Sequence, residues 1–191
     1  MIHAIKISFL CLALFMAPPL SAATNERPSE ELRNILTKAI NSADSFGDRF
    51  DAEVWLLDMS TRLNKRIKDP IARLKFLKNV HYEANRVKLA PELILALIEV
   101  ESNFERWAIS RVGARGFMQI MPFWLNEIGK PDDDLFQMST NLRMGCTILR
   151  FYIDKEKGNL ARGLARYNGS LGSTRYSDKV LRSLSKRWYQ R

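Results

Sequence analysis

The stretch PELILALIEVESNFERWAISRVGARGFMQIMP, residues 91–122, decides how the rest of the chain is read. Pro91 suits a first helical position, where its missing N–H costs nothing, and Glu92 suits the positive end of the helix dipole. At about 100° per residue, Ile94, Leu97 and Ile98 share one face with Glu101. Glu92 and Glu99 fall on the opposite face and are expected to point to water, while Glu101 continues an apolar stripe. A carboxylate placed there loses hydration and lies near the negative end of its own helix dipole, and both effects favour the protonated form. A pKa about two units above the reference value of about 4.3 costs roughly 2.7 kcal/mol at neutral pH. The alternative is that the helix turns and Glu101 reaches solvent or an arginine: Arg106, Arg111 or Arg115. Ser102-Asn103-Phe104 is expected to end the helix. Beyond it, Ser110 and the turn from Gly113 to Gly116 lead into Phe117-Met-Gln-Ile-Met-Pro122. A glycine-bearing turn feeding an apolar segment with a single glutamine suits a loop folded over a groove.

Four motifs then stand in one order: Glu101-Ser102, Ala108-Ile-Ser110, Gly113-Ala-Arg-Gly-Phe-Met-Gln-Ile-Met-Pro122 and Tyr167-Asn168. Their order and internal spacing resemble the catalytic core of the family 1 lytic transglycosylases, the SLT domain of the goose-type lysozyme superfamily. The resemblance runs from about Tyr82 to about Val180. That family usually has a proline two residues after the Phe of its E-S-x-F segment. Here the position is Arg106, a departure that bears on the local loop shape and not on the chemistry.

The resemblance implies an all-α, lysozyme-like domain that acts on the glycan strands of peptidoglycan without a cofactor. Glu101 would protonate the bond between MurNAc and GlcNAc. It would then act as base for the sugar's own 6-hydroxyl, which closes a 1,6-anhydro ring with no water consumed. Tyr167 would lie beside Glu101 and help set its protonation state and orientation. Ser110, Gln119 and Asn168 would line the groove, and Ser102 would support the helix end. Met118 and Met121 are candidate apolar walls, with plain core packing as the other reading. A lysozyme-type hydrolase and a non-catalytic wall-binding protein remain as other classes. The acids nearest Glu101 in sequence, Glu99 and Glu105, do not suit the second carboxylate that a water-using glycosidase needs.

The start of the chain reads as a secretory signal over residues 1–23. Lys6 is its positive region, Ile7 to Ala17 its short apolar core, and Ser21-Ala22-Ala23 its small-residue cleavage site. The apolar run is too short for a membrane-spanning helix of about 20 residues. An exported, periplasmic protein that is not integral to the membrane is expected. After cleavage Cys146 is the one cysteine left, and an apolar helical pattern around it suggests a buried, inert thiol. Removing Lys6 brings the formal charge from +9 to about +8, which favours acidic polymers as partners. Nucleic acid is not expected, because the aromatics are not interleaved with the basic residues. An envelope-spanning secretion or conjugation machine is a further possible partner.

Residues 24–80 are expected to form a helical extension packed on a catalytic domain at 81–191. Leu32, Ile35, Leu36 and Ile40 follow helical spacing, as do Val54, Leu57 and Leu63, with a break at Phe46-Gly47-Asp48. Asp69-Pro70 caps a helix to about Val87, and Phe123 to Ile128 form a short helix ending at Gly129. Pro131-Asp-Asp-Asp134 reads as a solvated acidic loop. Ser139 or Thr140 should cap a helix burying Leu142, Cys146, Leu149 and Ile153. Leu160 to Tyr167 and Tyr176 to Trp188 are the last helices. His81, the only histidine after the signal, leaves no basis for a histidine metal site or triad, and no metal is expected.

Overall fold

A computed structural model describes residues 49–189. The signal segment, Cys11, the spacing from Leu32 to Ile40 and the break at Phe46-Gly47-Asp48 lie outside the described residues. Within them the chain is helical, with two isolated β-bridges and no strand. The elements are α1 (Arg49–Leu63), α2 (Pro70–Arg86), α3 (Pro91–Glu101), α4 (Trp124–Ile128), α5 (Met138–Lys155), α6 (Leu160–Tyr167) and α7 (Arg175–Ser183). A single π-helical turn, Leu184–Trp188, continues α7.

The centre is α3. Leu93 to Ile98 are all buried, so the helix is apolar on every side and needs neighbours all round. The neighbours are α2, α7 and the π-turn, while α5 packs between α2 and α6. The caps explain the boundaries. Asp69 Oδ1 accepts from Ile71 N at 3.0 Å ahead of Pro70, and Asn159 Oδ1 accepts from Arg162 N at 3.0 Å. Gly158 and Gly169 take left-handed conformations after α5 and α6.

Several expectations need correction. In α1 the burying stripe is Ala52, Trp55, Leu56, Met59 and Leu63, and Val54 is exposed. Neither Ser139 nor Thr140 caps α5, which starts after Gln137. The hydroxyl of Thr140 instead donates to Asp133. Asp133 is no solvated residue of an acidic loop, because Arg143 Nη2 lies 2.6 Å from its Oδ2. The last helix divides into α7 and the π-turn, in which Tyr189 N donates to Leu184 O at 2.8 Å. Elsewhere the apolar face of α5 is as expected, with Leu142, Cys146, Leu149 and Ile153 buried. Burial raises the Cys146 thiol well above its usual pKa, which fits an unreactive core residue.

Glu99 does not face water, and Glu92 is only partly exposed. Trp55 Nε1 donates to Glu92 at 2.6 Å, tying α1 to α3. Glu99 accepts from Ser183 Oγ at 2.6 Å, Arg187 Nε at 2.7 Å, Trp188 Nε1 at 2.9 Å and Arg66 Nη2 at 3.0 Å. The wheel gave their angle on α3 correctly. It could not show that other helices occupy that side.

Candidate active site

Glu101 closes the last turn of α3, with Ser102 as the C-cap. Tyr176, in the first turn of α7, donates its phenolic proton to Glu101 Oε1 at 2.5 Å. The two are brought together because α3 and α7 pack along each other. Burial raises the Glu101 pKa from 4.5 to about 7, while the Tyr176 bond and the Lys179 charge pull it back. Burial wins, because one neutral donor and the Lys179 charge replace less than the lost water. Glu101 therefore exists in both forms near neutrality, and it makes no pair with Arg106, Arg111 or Arg115. Tyr176 and Tyr167 are both buried enough to be raised well above the usual phenol range, and the Glu101 charge adds to that shift. Both phenols stay protonated and act as donors.

Beside Glu101 runs the loop 102–122, held by its own backbone. Ser110 N donates to Ala114 O, Arg115 and Ile120 exchange a bond pair, and Gly116 N donates to Ala108 O, each at 2.9 Å. Gly116 has φ +75°, and an added Cβ would sit 2.6 Å from Leu135 O and against the Asn141 amide. Only glycine fits there. The α3 exit is strained, since Asn103 and Phe104 have φ of 50° and 67°. Left-handed backbone at non-glycine residues costs about 1–2 kcal/mol each. Packing offsets it: Phe104 is buried against Phe76 and Trp188, with ring centroids at 6.0 and 5.5 Å. In the same loop Arg106 Nε donates to Phe136 O at 2.9 Å, and its guanidinium stacks 4.6 Å from the Trp107 ring.

The site residues singled out from sequence fall into place unevenly. Ser102 Oγ donates to Phe117 O at 2.7 Å, which joins the α3 exit to the Met118-Gln119 segment. Tyr167 Oη donates to Met118 O at 2.7 Å, so its proton goes to the loop and the direct bond to Glu101 comes from Tyr176. Gln119 has φ 51°, and its Nε2 donates to Gly116 O at 3.0 Å and Ala108 O at 3.2 Å. Ser110 Oγ accepts from Ala114 N at 3.0 Å. Met118 is fully buried core, whereas Met121 is half-buried. Asn168 is the exposed C-cap of α6, next to Tyr167. His81 is half-buried with its ring edge-on to Trp55, and burial lowers its pKa to about 4.

Two residues escaped the sequence reading. Tyr176 lies 75 positions from Glu101 and looks like any aromatic on an amphipathic helix. Asn141 is 1% exposed on α5 and is fully used: its Oδ1 accepts from Met118 N at 2.8 Å, and its Nδ2 donates to Leu135 O at 2.8 Å and Arg115 O at 2.9 Å. A signal for Asn141 did exist, since helical spacing puts it in one stripe with Gly145 and Ile148, both buried.

Against known proteins, the transglycosylase SLT domain model matches residues 78–187. Among solved structures, the chain is similar to an inactive mutant of the lytic transglycosylase Slt from Pseudomonas aeruginosa, at 21% identity and a TM-score of 0.47, over 80% of this chain and 33% of that one. It is also similar to the 70 kDa soluble lytic transglycosylase from Escherichia coli, at 17% identity and a TM-score of 0.42, over 82% of this chain and 29% of that one. The chain thus spans about a third of the length of these two proteins. The domain match takes in more than half of the 191 residues, including the α3 carboxylate, the glycine-bearing loop and the α6–α7 region, and by it the chain belongs to the transglycosylase SLT domain family.

Proposed function

We propose that the protein is a peptidoglycan lytic transglycosylase that cleaves the β-1,4 bond between MurNAc and GlcNAc, with Glu101 as acid and then base. The observation that carries this reading is a half-buried carboxyl poised at about 7 beside a phenol donor. A general acid works best with a pKa near the operating pH. Glu101 gives its proton to the glycosidic oxygen as the bond to the MurNAc anomeric carbon breaks. The carboxylate left behind keeps the Tyr176 hydrogen bond, which favours the charged form. The 6-hydroxyl oxygen of the same sugar then bonds to that carbon, and its proton returns to Glu101. One bond breaks, one forms, and the net proton count is zero.

The other acids near Glu101 in sequence support an intramolecular nucleophile. Glu99 is engaged by four donors on the far side of α3. Glu105 is exposed and accepts from Trp107 N at 3.3 Å. Asp133 is paired with Arg143, and Asp134 accepts from Phe136 N at 2.9 Å. A hydrolase would need a second free carboxylate to activate water. A hydroxyl already bound in place needs none, and effective molarities of well-placed groups are very large. Ser110, Gln119, Met121, Tyr167 and Asn168 are the proposed groove residues. Because Gln119 Nε2 is spent on two carbonyls, its contribution to substrate is an acceptor oxygen. Ser110, whose oxygen already accepts, contributes a donor.

The protein is further proposed to be exported to the periplasm, on the strength of Lys6, the apolar run and Ser21-Ala22-Ala23. No helix among the described residues is long and apolar enough to cross a membrane. Residues 24–80 are read as a helical extension on the 81–191 domain, a reading supported by the Trp55–Glu92 bond. The deciding experiment is mass spectrometry of muropeptides released from purified wall. Anhydro ends, one water lighter than reducing ends, are expected. A digest dominated by reducing ends would make the protein a lysozyme-type hydrolase, and no release at all would leave a wall-binding protein.

A further inference from the structure

On the side of α3 turned away from Glu101 lies a cavity of about 340 Å³. Arg62, Arg66, Lys186 and Arg187 line it, with Glu99 and Trp188 at its inner wall. Glu99 is the anchor. Its carboxylate takes Nη2 of Arg66 and Nε of Arg187, and fixes both guanidiniums at the rim. Each guanidinium has five N–H donors, so one bond to Glu99 does not exhaust either. Asp58 holds Arg62 from the side through Nε and Nη2, and Arg62 Nη1 donates to Arg187 O at 2.7 Å. The π-turn makes the wall: its wide turn keeps Trp188 3% exposed while Lys186 and Arg187 are exposed beside it. π-Helical turns cost more than α-helix and cluster at functional sites.

We propose that this cavity is a phosphate-binding site, separate from the glycan chemistry at Glu101. Charge selects the ligand class. Four cations face two carboxylates, Glu99 and Asp58, which leaves two positive charges at the rim. A phosphomonoester carries about 1.5–2 negative charges near neutrality, whereas a carboxylate carries one. Guanidinium forks match phosphate oxygens in pairs, and Lys186 adds a mobile point charge. Glu99 and Asp58 are already neutralised by arginines, so an entering anion meets held cations rather than bare acids. The phosphate can come from a membrane headgroup or from a free small molecule.

The test uses the full chain at low ionic strength, where such attraction is least screened. One arm titrates inorganic phosphate by calorimetry. The other cosediments the protein with vesicles of equal parts phosphatidylcholine and phosphatidic acid, and with phosphatidylcholine alone. Lys186→Glu is expected to weaken binding by about tenfold or more, since it puts a charge of the wrong sign at the rim. Lys75→Glu, exposed on α2 and outside the lining, should bind like the unaltered chain. Lys186→Gln, which removes the charge without reversing it, should fall between. Saturable binding in the first arm assigns a free phosphate, and binding only to the acidic vesicles assigns a headgroup. Equal binding by the Lys186→Glu and Lys75→Glu proteins would overturn the proposal, as would no saturable binding in either arm.

Discussion

Two glutamates on the same helix, two residues apart, have opposite fates. Glu101 has lost water and has one hydrogen bond, from Tyr176, and its pKa rises to about 7. Glu99 also loses water, but Ser183, Trp188 and Arg187 donate to it and the Arg187 charge adds to them, so it is held below the usual glutamate range. Burial pushes both in the same direction. The number and charge of the donors decides the outcome. One end of α3 thus keeps a proton available at neutrality, and the other side holds three segments of chain together: the loop after α1, α7 and the π-turn.

The largest expected effect is at Glu101. Glu101→Gln keeps the shape but has no proton to give, and muropeptide release should fall by about 10²–10⁴-fold. The same variant should be steadier at neutral pH. Because the folded pKa lies above the unfolded 4.5, the unfolded chain ionises first as pH rises. Stability therefore falls between pH 4.5 and about 7, and above that the full penalty is present, roughly 3 kcal/mol. Thermal melts should show Glu101→Gln raised relative to the unaltered chain at pH 8 and matched to it at pH 4. A melt difference that persists at pH 4 would mean that the carboxyl is not the strained group.

Next in size is Asn141→Ala. It leaves Met118 N and the Leu135 carbonyl without their partner and takes one of two bonds from the Arg115 carbonyl, which keeps Ile120 N, and urea unfolding should report a loss of about 2–4 kcal/mol. Activity per folded molecule should also drop, because Asn141 positions the loop that carries Gln119. Unchanged activity at full folding would remove Asn141 from any positioning role.

Glu99→Gln sharpens the contrast from the other side. The charge that holds Arg66 and Arg187 disappears, and about 2 kcal/mol of stability should go with it, discounted from a fully buried pair because both arginines reach solvent. Glu99 stabilises the fold above its unfolded pKa, and that contribution is lost as pH falls through its depressed folded value. The variant should therefore lose less stability on acidification than the unaltered chain. Cleavage by the fraction that stays folded should be unaffected. Lost cleavage without lost stability would place Glu99 in the chemistry.

The smallest effect is expected for Tyr176→Phe. It removes the bond that favours ionised Glu101, so the carboxyl pKa should move further up, and the alkaline limb of kcat/KM should follow it. Stability should change by no more than about 1 kcal/mol. A pH profile that stays put would show that the 2.5 Å contact does not tune the acid.

Much of this was legible before any coordinates. The apolar run Leu93 to Ile98, the cap at Asp69 and the helix stop at Gly129 each act through bonds within a few residues, and such bonds are written in the local pattern. Glu101 could be singled out because its oddness, an acid on an apolar stripe, is also local. The loop motif was readable for the same reason, since Gly116 and Gln119 sit within one short loop. The partners of these groups were not readable. Which phenol bonds Glu101, which amide pins the loop, and whether Glu99 meets water or four donors all depend on contacts spanning 23 to 89 residues of sequence. The sequence by itself therefore determined the helices among the described residues, the apolar faces of α3 and α5, and the acid that stands out among them. Only the tertiary structure decided the charge state of that acid and the use made of its neighbour, because a pKa is set by the groups that surround a carboxylate in space, and those groups come from distant helices.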